Sequence, residues 1–264
     1  MFFTNKKFYI AIGEKVMMFI HFSMGIFNLT IQTLSLIHGK PFGGRRIFEQ
    51  AKKIGVDSLP IVTLVSFFIG MILALQTAYI MLKMSSEIYI ASIVAVSLTR
   101  ELGPVITALI VAGRCGAGIT AELGTMTVTE QVDALATLGS NPVKYLVVPR
   151  YLSLTIMMPI LTLFANAIGI FGGYLIGVYN LSIRSSLYMN MTFQTLVYKD
   201  IFTGLIKTIF FGMIIAIVAC YEGLNVRGGA EGVGKATTRS VVNTFIMIIA
   251  ADCFFTALFY FFWS

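Results

Sequence analysis

Charge is what this 264-residue sequence most lacks. Asp, Glu, Lys and Arg together make up 12% of it, about half the ~25% of an average soluble domain. So little charge with so much apolar content excludes a disordered chain and argues against a soluble globular enzyme. Cysteine is scarce too: Cys115, Cys220 and Cys253 stand isolated, without a CxxC pair, and His21 and His38 stand apart. That spacing supports neither a disulfide framework nor a metal site. Paired carboxylates, HExxH and GxSxG are all missing, so no catalytic constellation is legible and the chain is read as a non-enzyme. The N-terminus lacks a small-residue cleavage site, so no removable signal peptide is expected. No 20–50-residue repeat is visible.

Apolar residues are what the chain has: they form 57% of it, and mean hydropathy is +0.87. Transmembrane barrels use short alternating strands, whereas this chain carries long continuous apolar runs. Only helices satisfy their own backbone along such runs in lipid. Five stretches reach the roughly 20 residues that a span requires: 59–82, 88–112, 151–179, 201–221 and 241–263. A sixth, 16–37, is uncharged but carries His21, Asn28, Thr30, Gln32, Thr33 and Ser35. Lys6, Lys7 and Lys15 precede it, and Lys40, Arg45, Arg46, Lys52 and Lys53 follow it. Basic flanks belong on the cytoplasmic side, so this stretch is read as a helix lying in the cytoplasmic interface. With five spans, 14 basic residues fall inside and 3 outside. The net charge of +7 is thereby explained by cytoplasmic loops, without nucleic acid. The expected fold is an all-α polytopic membrane protein. Residues 1–57 form an N-terminal cytoplasmic and interfacial segment, and residues 58–264 a five-helix transmembrane domain with its C-terminus outside.

Several residues break the apolar pattern. Arg100 and Glu101 sit mid-stretch, followed by Gly103-Pro104, which reads as a helix breaker; a charge at a helix centre costs about 2.5–3.5 kcal/mol on insertion scales. Adjacent helix residues do not face each other, so each needs a partner elsewhere. They read either as the wall of a polar cavity that meets a charged headgroup or ion, or as a structural ion pair. Pro104 removes a donor and frees the carbonyl of Arg100. Lys207 and Asp252 are the other intramembrane charges; they line a pathway or pair. Gly169, Gly173 and Gly177 form a tandem GxxxG suited to close helix packing, with Pro159 expected to kink the same span.

In the loop after the second span, Thr127 and Glu130 fit a capping box. Val128, Val132 and Leu135 then recur at helical spacing, and the Gly139–Pro142 run ends the segment. Residues 129–138 are expected as a short cytoplasmic amphipathic helix. Its acids, Glu130 and Asp133, disfavour an anionic lipid surface and favour a protein partner. Residues 229–236 nearly match GxxxxGK[ST], but Ala236 offers no hydroxyl to Mg²⁺ and no strand precedes them. They are expected to form a tight turn, not a nucleotide site.

Five strings, in order, resemble one family. They are Arg100-Glu101-Leu102-Gly103-Pro104, Ala112-Gly113-Arg114-Cys115-Gly116-Ala117-Gly118, Ala121-Glu122-Leu123-Gly124-Thr125-Met126, Thr129-Glu130-Gln131-Val132-Asp133-Ala134-Leu135 and Gly234-Lys235-Ala236-Thr237-Thr238-Arg239. Together with Pro149-Arg150 they are similar to the MlaE permeases, membrane subunits of phospholipid-moving ABC transporters of diderm bacteria, with a chloroplast branch. The resemblance covers roughly residues 58–262; residues 1–57 and the outer loop 180–199 match weakly. It implies a homodimer in the inner membrane, or less often the plastid inner envelope. Each copy would bind a cytoplasmic ATPase subunit, beneath a periplasmic MCE-domain protein. The chain itself would hold no cofactor; ATP and Mg²⁺ would belong to the ATPase. By the same resemblance, Gln76, Arg100, Glu101, Leu102 and Arg239 line the lipid site. Both arginines would hold the phosphate, with Glu101 orienting one of them. Thr129, Glu130, Gln131, Asp133, Ala134, Leu135 and Leu138 would dock on the ATPase. Two other classes stay open from the residues alone: an ion-coupled secondary carrier using Glu101 and Asp252, and a membrane anchor without transport.

Overall fold

The computed structural model describes residues 2–37 and 44–263. His38, Lys40 and Ser264, which entered the charge and topology reading, lie outside the described residues. The chain runs α1 (Phe2–Ile37), α2 (Gly44–Gly55), α3 (Leu59–Lys83), α4 (Tyr89–Ser97), α5 (Gly103–Val111), α6 (Ala117–Val128), α7 (Gln131–Thr137), α8 (Val148–Leu175), α9 (Ser185–Thr195), α10 (Tyr198–Leu224) and α11 (Gly229–Trp263). There is no strand among the described residues. The protein is an all-α, multi-pass membrane protein.

Among the described residues, six helical stretches are long and apolar enough to cross a membrane, one more than the five read as spans. The additional one is Ile20–Ile37, within α1. Its buried residues, Leu29 and Thr33, and the edge-on pair Phe22–Tyr221, with ring centroids 5.6 Å apart, hold it near the C-terminal end of α10. It also packs on the turn Val143–Val147 and on α8. These are the ends of α8 and α10 that adjoin the basic loops, hereafter the basic end.

α10 lies at the centre, with 56% of its apolar window buried, against 6% for α11. α3 packs most extensively on α8. There Gly70 and Gly169 bring their backbones together: a Cβ on Gly70 would overlap the carbonyl of Gly169. Gly173 packs beside Val94, and Gly177 beneath the Tyr188 ring. The tandem GxxxG therefore serves packing within the chain. α8 continues through Pro159.

The second span departs from expectation. It is one helical run, Tyr89–Val128, neither broken at Gly103-Pro104 nor ended at residue 112. Two π-helical turns, Leu98–Leu102 and Ala112–Gly116, absorb the irregularity. The amide of Gly103 bonds to the carbonyl of Leu98, five residues back, so Pro104 falls in the first turn of α5, where a missing N–H is tolerated. The helix beyond residue 128 also differs. Thr127 caps nothing: its hydroxyl donates to the carbonyls of Leu123 and Gly223. Glu130, left-handed at φ 59°, reverses the chain, and α7 spans only Gln131–Thr137. Its end is as expected. The amide of Ser140 bonds to Leu135 and that of Gly139 to Ala136, with Gly139 at φ 73°, a Schellman closure. The glycine run 229–236 is not a turn either. Within it only Gly229, with Gly228 just before it, takes positive φ, and α11 begins there, with Glu231 and Lys235 pairing at 2.7 Å one helical turn apart on its exposed face.

The outer loop 180–199 contains α9. Tyr188 is buried without a partner for its hydroxyl, and burial pushes that phenol up to about 12. Close backbone approach gives a direct test of the α3–α8 seam. Gly70→Val should destabilise the folded protein in detergent by about 1–3 kcal/mol. Gly118→Ala, whose Cβ would meet nothing within 4 Å, should be within about 0.5 kcal/mol of the parent. Thermal unfolding of both variants checks this.

Candidate functional site

A lysine decides the site's arrangement. Lys207, on α10, has a side chain only 2% exposed. Its Nζ donates to Glu101 Oε2 at 2.6 Å, Asp252 Oδ1 at 2.9 Å and Thr256 Oγ1 at 2.7 Å. It also reaches the carbonyl of Arg100 at 3.4 Å, the acceptor that Pro104 leaves without its helical donor. The first π turn, α10 and α11 are thereby tied at one depth. A buried ammonium is tolerable only when paired and hydrogen-bonded, and here every donor is used.

Arg100 is held differently. Its Nε lies 3.7 Å from Asp200 Oδ1, and its side chain is 46% exposed. A contact of that length is not a hydrogen bond, so the guanidinium keeps most of its donors free. Glu101, expected to orient an arginine, instead serves Lys207 and accepts from Thr256 at 3.2 Å. Leu102 packs against the apolar cluster around Ala74 and Val94. Gln76 is exposed on α3.

The structure does not bring Arg239 to this cluster. Its Nη2 lies 2.6 Å from Glu222 Oε2, and Asn243 donates to the other oxygen at 3.1 Å. Glu222 is 2% exposed. Lys207 and Glu222 are 15 residues apart on α10, about 22 Å at 1.5 Å per residue. Within this chain one phosphate therefore cannot touch both arginines, which stand about 22 Å apart in depth.

The expected docking residues lie together on and around α7. Thr129, Glu130, Gln131, Asp133, Ala134 and Leu138 are exposed, while Leu135 is half-buried with Val132 against the core. Leu138 is 79% exposed. Sequence reasoning missed a third group at the basic end. Glu122 Oε1 accepts from the nearly buried Arg150 at 2.7 Å, and its Oε2 meets Lys53 at 3.1 Å. Glu122 stood inside a quoted string, but nothing local signals partners 28 and 69 residues away.

Fold and site together define a helical multi-pass membrane protein that keeps an ionic cluster inside its apolar spans. The chain belongs to the MlaE permease family, whose model matches residues 47–258. It is 48% identical over 239 residues to a probable ABC transporter permease protein of Rickettsia prowazekii, covering 90% of this chain and 92% of that protein. It is 34% identical over 256 residues to the intermembrane phospholipid transport system permease protein MlaE of Haemophilus influenzae, covering 96% and 97%. A probable ABC transporter permease protein of Porphyra purpurea is 37% identical over 216 residues, covering 82% of each chain. The chain is thus an ABC transporter permease, a transport component and not a catalytic subunit.

Lys207→Met should cost about 3–5 kcal/mol, because it leaves two carboxylates facing each other without their cation. The triple variant Lys207→Met, Glu101→Gln, Asp252→Asn should recover most of that loss. Denaturant unfolding in detergent measures both.

Proposed function

We propose that this permease moves phospholipids between the inner and outer membranes, as a homodimer in the inner membrane of a diderm bacterium. A separate cytoplasmic ATPase subunit supplies ATP hydrolysis and its Mg²⁺, and an MCE-domain protein continues the lipid path on the other side. The observation that carries this reading is Arg100. It is a half-exposed guanidinium within a membrane span, loosely paired and held in place by a backbone whose carbonyl Lys207 engages. Free guanidinium donors suit a phosphate oxygen. The phospholipid transport named for the Haemophilus relative supports the same reading.

The cleft beside Arg100, lined by Glu101, Thr203, Lys207, Thr256 and Phe259, encloses only about 10 Å³, barely one water. A headgroup therefore needs a wall supplied from outside this chain. α11, with its exposed Ile246, Ile249 and Phe254, is the apolar face available to a second copy. Gln76 and Leu102 then border the acyl region next to Arg100. Arg239 takes a structural role, neutralising the buried Glu222. At the basic end, the exposed acidic face of α7 docks on the ATPase, and the half-buried Val132 and Leu135 pass its movement into the bundle.

The two carboxylates on Lys207 also suit an ion-coupled carrier, so the decisive experiment separates the two. The permease, its ATPase and its MCE partner are reconstituted in proteoliposomes, and lipid movement is followed with ATP while a protonophore collapses the proton gradient. Movement should continue; its arrest would establish the carrier reading. Under the same conditions Glu130→Lys should lower lipid-coupled ATP turnover at least about tenfold, a ~1.4 kcal/mol effect. Unchanged turnover would remove α7 from the docking surface.

A further inference from the structure

A second cationic cleft lies at the basic end, where α2 and the 3₁₀ turn Val56–Ser58 meet the second π turn. We infer that this cleft binds a phosphate at the headgroup level of the leaflet on the basic side, taken from an anionic phospholipid or from a free phosphate.

The cleft has a volume of about 130 Å³, room for roughly four waters at ~30 Å³ each. Gln50, Lys53, Asp57, Arg114 and Cys115 line it. Arg114 is the central donor. Its Nη1 donates to the buried Ser58 hydroxyl at 2.7 Å, which fixes the plane of the guanidinium. Asp57 stands 3.9 Å from Nη2, beyond hydrogen-bond reach, and the side chain remains 38% exposed. Lys53 pairs with Glu122 yet keeps its side chain 64% exposed. Gln50 adds an amide that can donate. Counting the charges in and behind the wall, Lys53, Arg114 and Arg150 outnumber Asp57 and Glu122. On the wall itself Lys53 and Arg114 face one carboxylate, the half-exposed Asp57, so an anion meets two cationic donors against a single like charge. The π turn Ala112–Gly116 carries Arg114 and Cys115, and such turns recur at functional sites.

Depth narrows the ligand. Ser58 immediately precedes α3, and Arg114 follows the apolar end of α5. Both therefore sit at the edge of the hydrocarbon, where lipid phosphates lie. Arg114 is 14 residues beyond Arg100 along one helical run, about 21 Å, so this is a separate site from the Lys207 cluster. The inference does not depend on the transport direction, the ATPase or the second copy.

Gly118, which also lines the cleft, gives a reporter: a side chain there meets nothing within 4 Å. Gly118→Cys is made together with Cys253→Ser, which removes the exposed native thiol, and is read against Cys253→Ser alone, which keeps the buried Cys115 of the cleft wall. The full-length protein is placed in nanodiscs and its rate of reaction with a small thiosulfonate is measured. Discs containing phosphatidylglycerol should react about tenfold more slowly than phosphatidylcholine discs when the site is nine-tenths filled, because only the open fraction reacts. Slowing by added inorganic phosphate in phosphatidylcholine discs, without an effect of phosphatidylglycerol, would assign the site to a soluble phosphate. Arg114→Gln should abolish the slowing and Arg114→Lys should keep part of it. Equal rates in both discs with and without phosphate would overturn the inference. So would slowing that survives Arg114→Gln in protein that elutes as the parent does.

Discussion

A lysine ammonium placed among membrane-spanning helices must find counter-charges or it will not stay there. Lys207 finds two carboxylates, a hydroxyl and a backbone carbonyl. That single demand gives Glu101 and Asp252 their place in apolar helices. The carbonyl left without a donor by Pro104 is not wasted on solvent; Lys207 takes it. By engaging Glu101, Lys207 also leaves the neighbouring Arg100 without a strong partner of its own.

The basic end follows a parallel logic with different partners. Arg150 and Lys53 converge on Glu122, and Arg239 on Glu222. These pairs join α2, α6, α8, α10 and α11 just where α7 projects its exposed acids. Under the proposed docking at α7, such a rigid floor is what would carry force from that short helix to a site some 20 Å deeper. The helix–helix seam where Gly70 and Gly169 meet supplies the remaining stiffness, since backbones in contact leave no space to yield.

Much of this was legible in the sequence, for identifiable reasons. Apolar run length exposed the spans, and the charges within them marked Arg100, Glu101, Lys207 and Asp252 as needing partners. Gly139 foretold the end of α7. What failed was local shape. A Gly-Pro pair reads as a break, but a π turn ahead of it adds one residue and keeps the helix whole. A Thr-x-x-Glu string reads as a capping box, yet the α6 helix runs through Thr127 and turns only at Glu130. Glycines at 232 and 234 read as a turn, while helix continuity from α11 overrides their weak propensity. The pairing of Arg239 with Glu222, and of Arg150 with Glu122, depends on tertiary placement that no spacing reveals.

The central claim is that Arg100, and not Arg239, meets the lipid phosphate. The most direct measurement is the phospholipid retained per transporter complex after extensive detergent washing, quantified by mass spectrometry. The account predicts that Arg100→Ala loses the retained lipid while Arg239→Ala, in protein that still assembles, keeps it. Full retention in Arg100→Ala with loss in Arg239→Ala would contradict it.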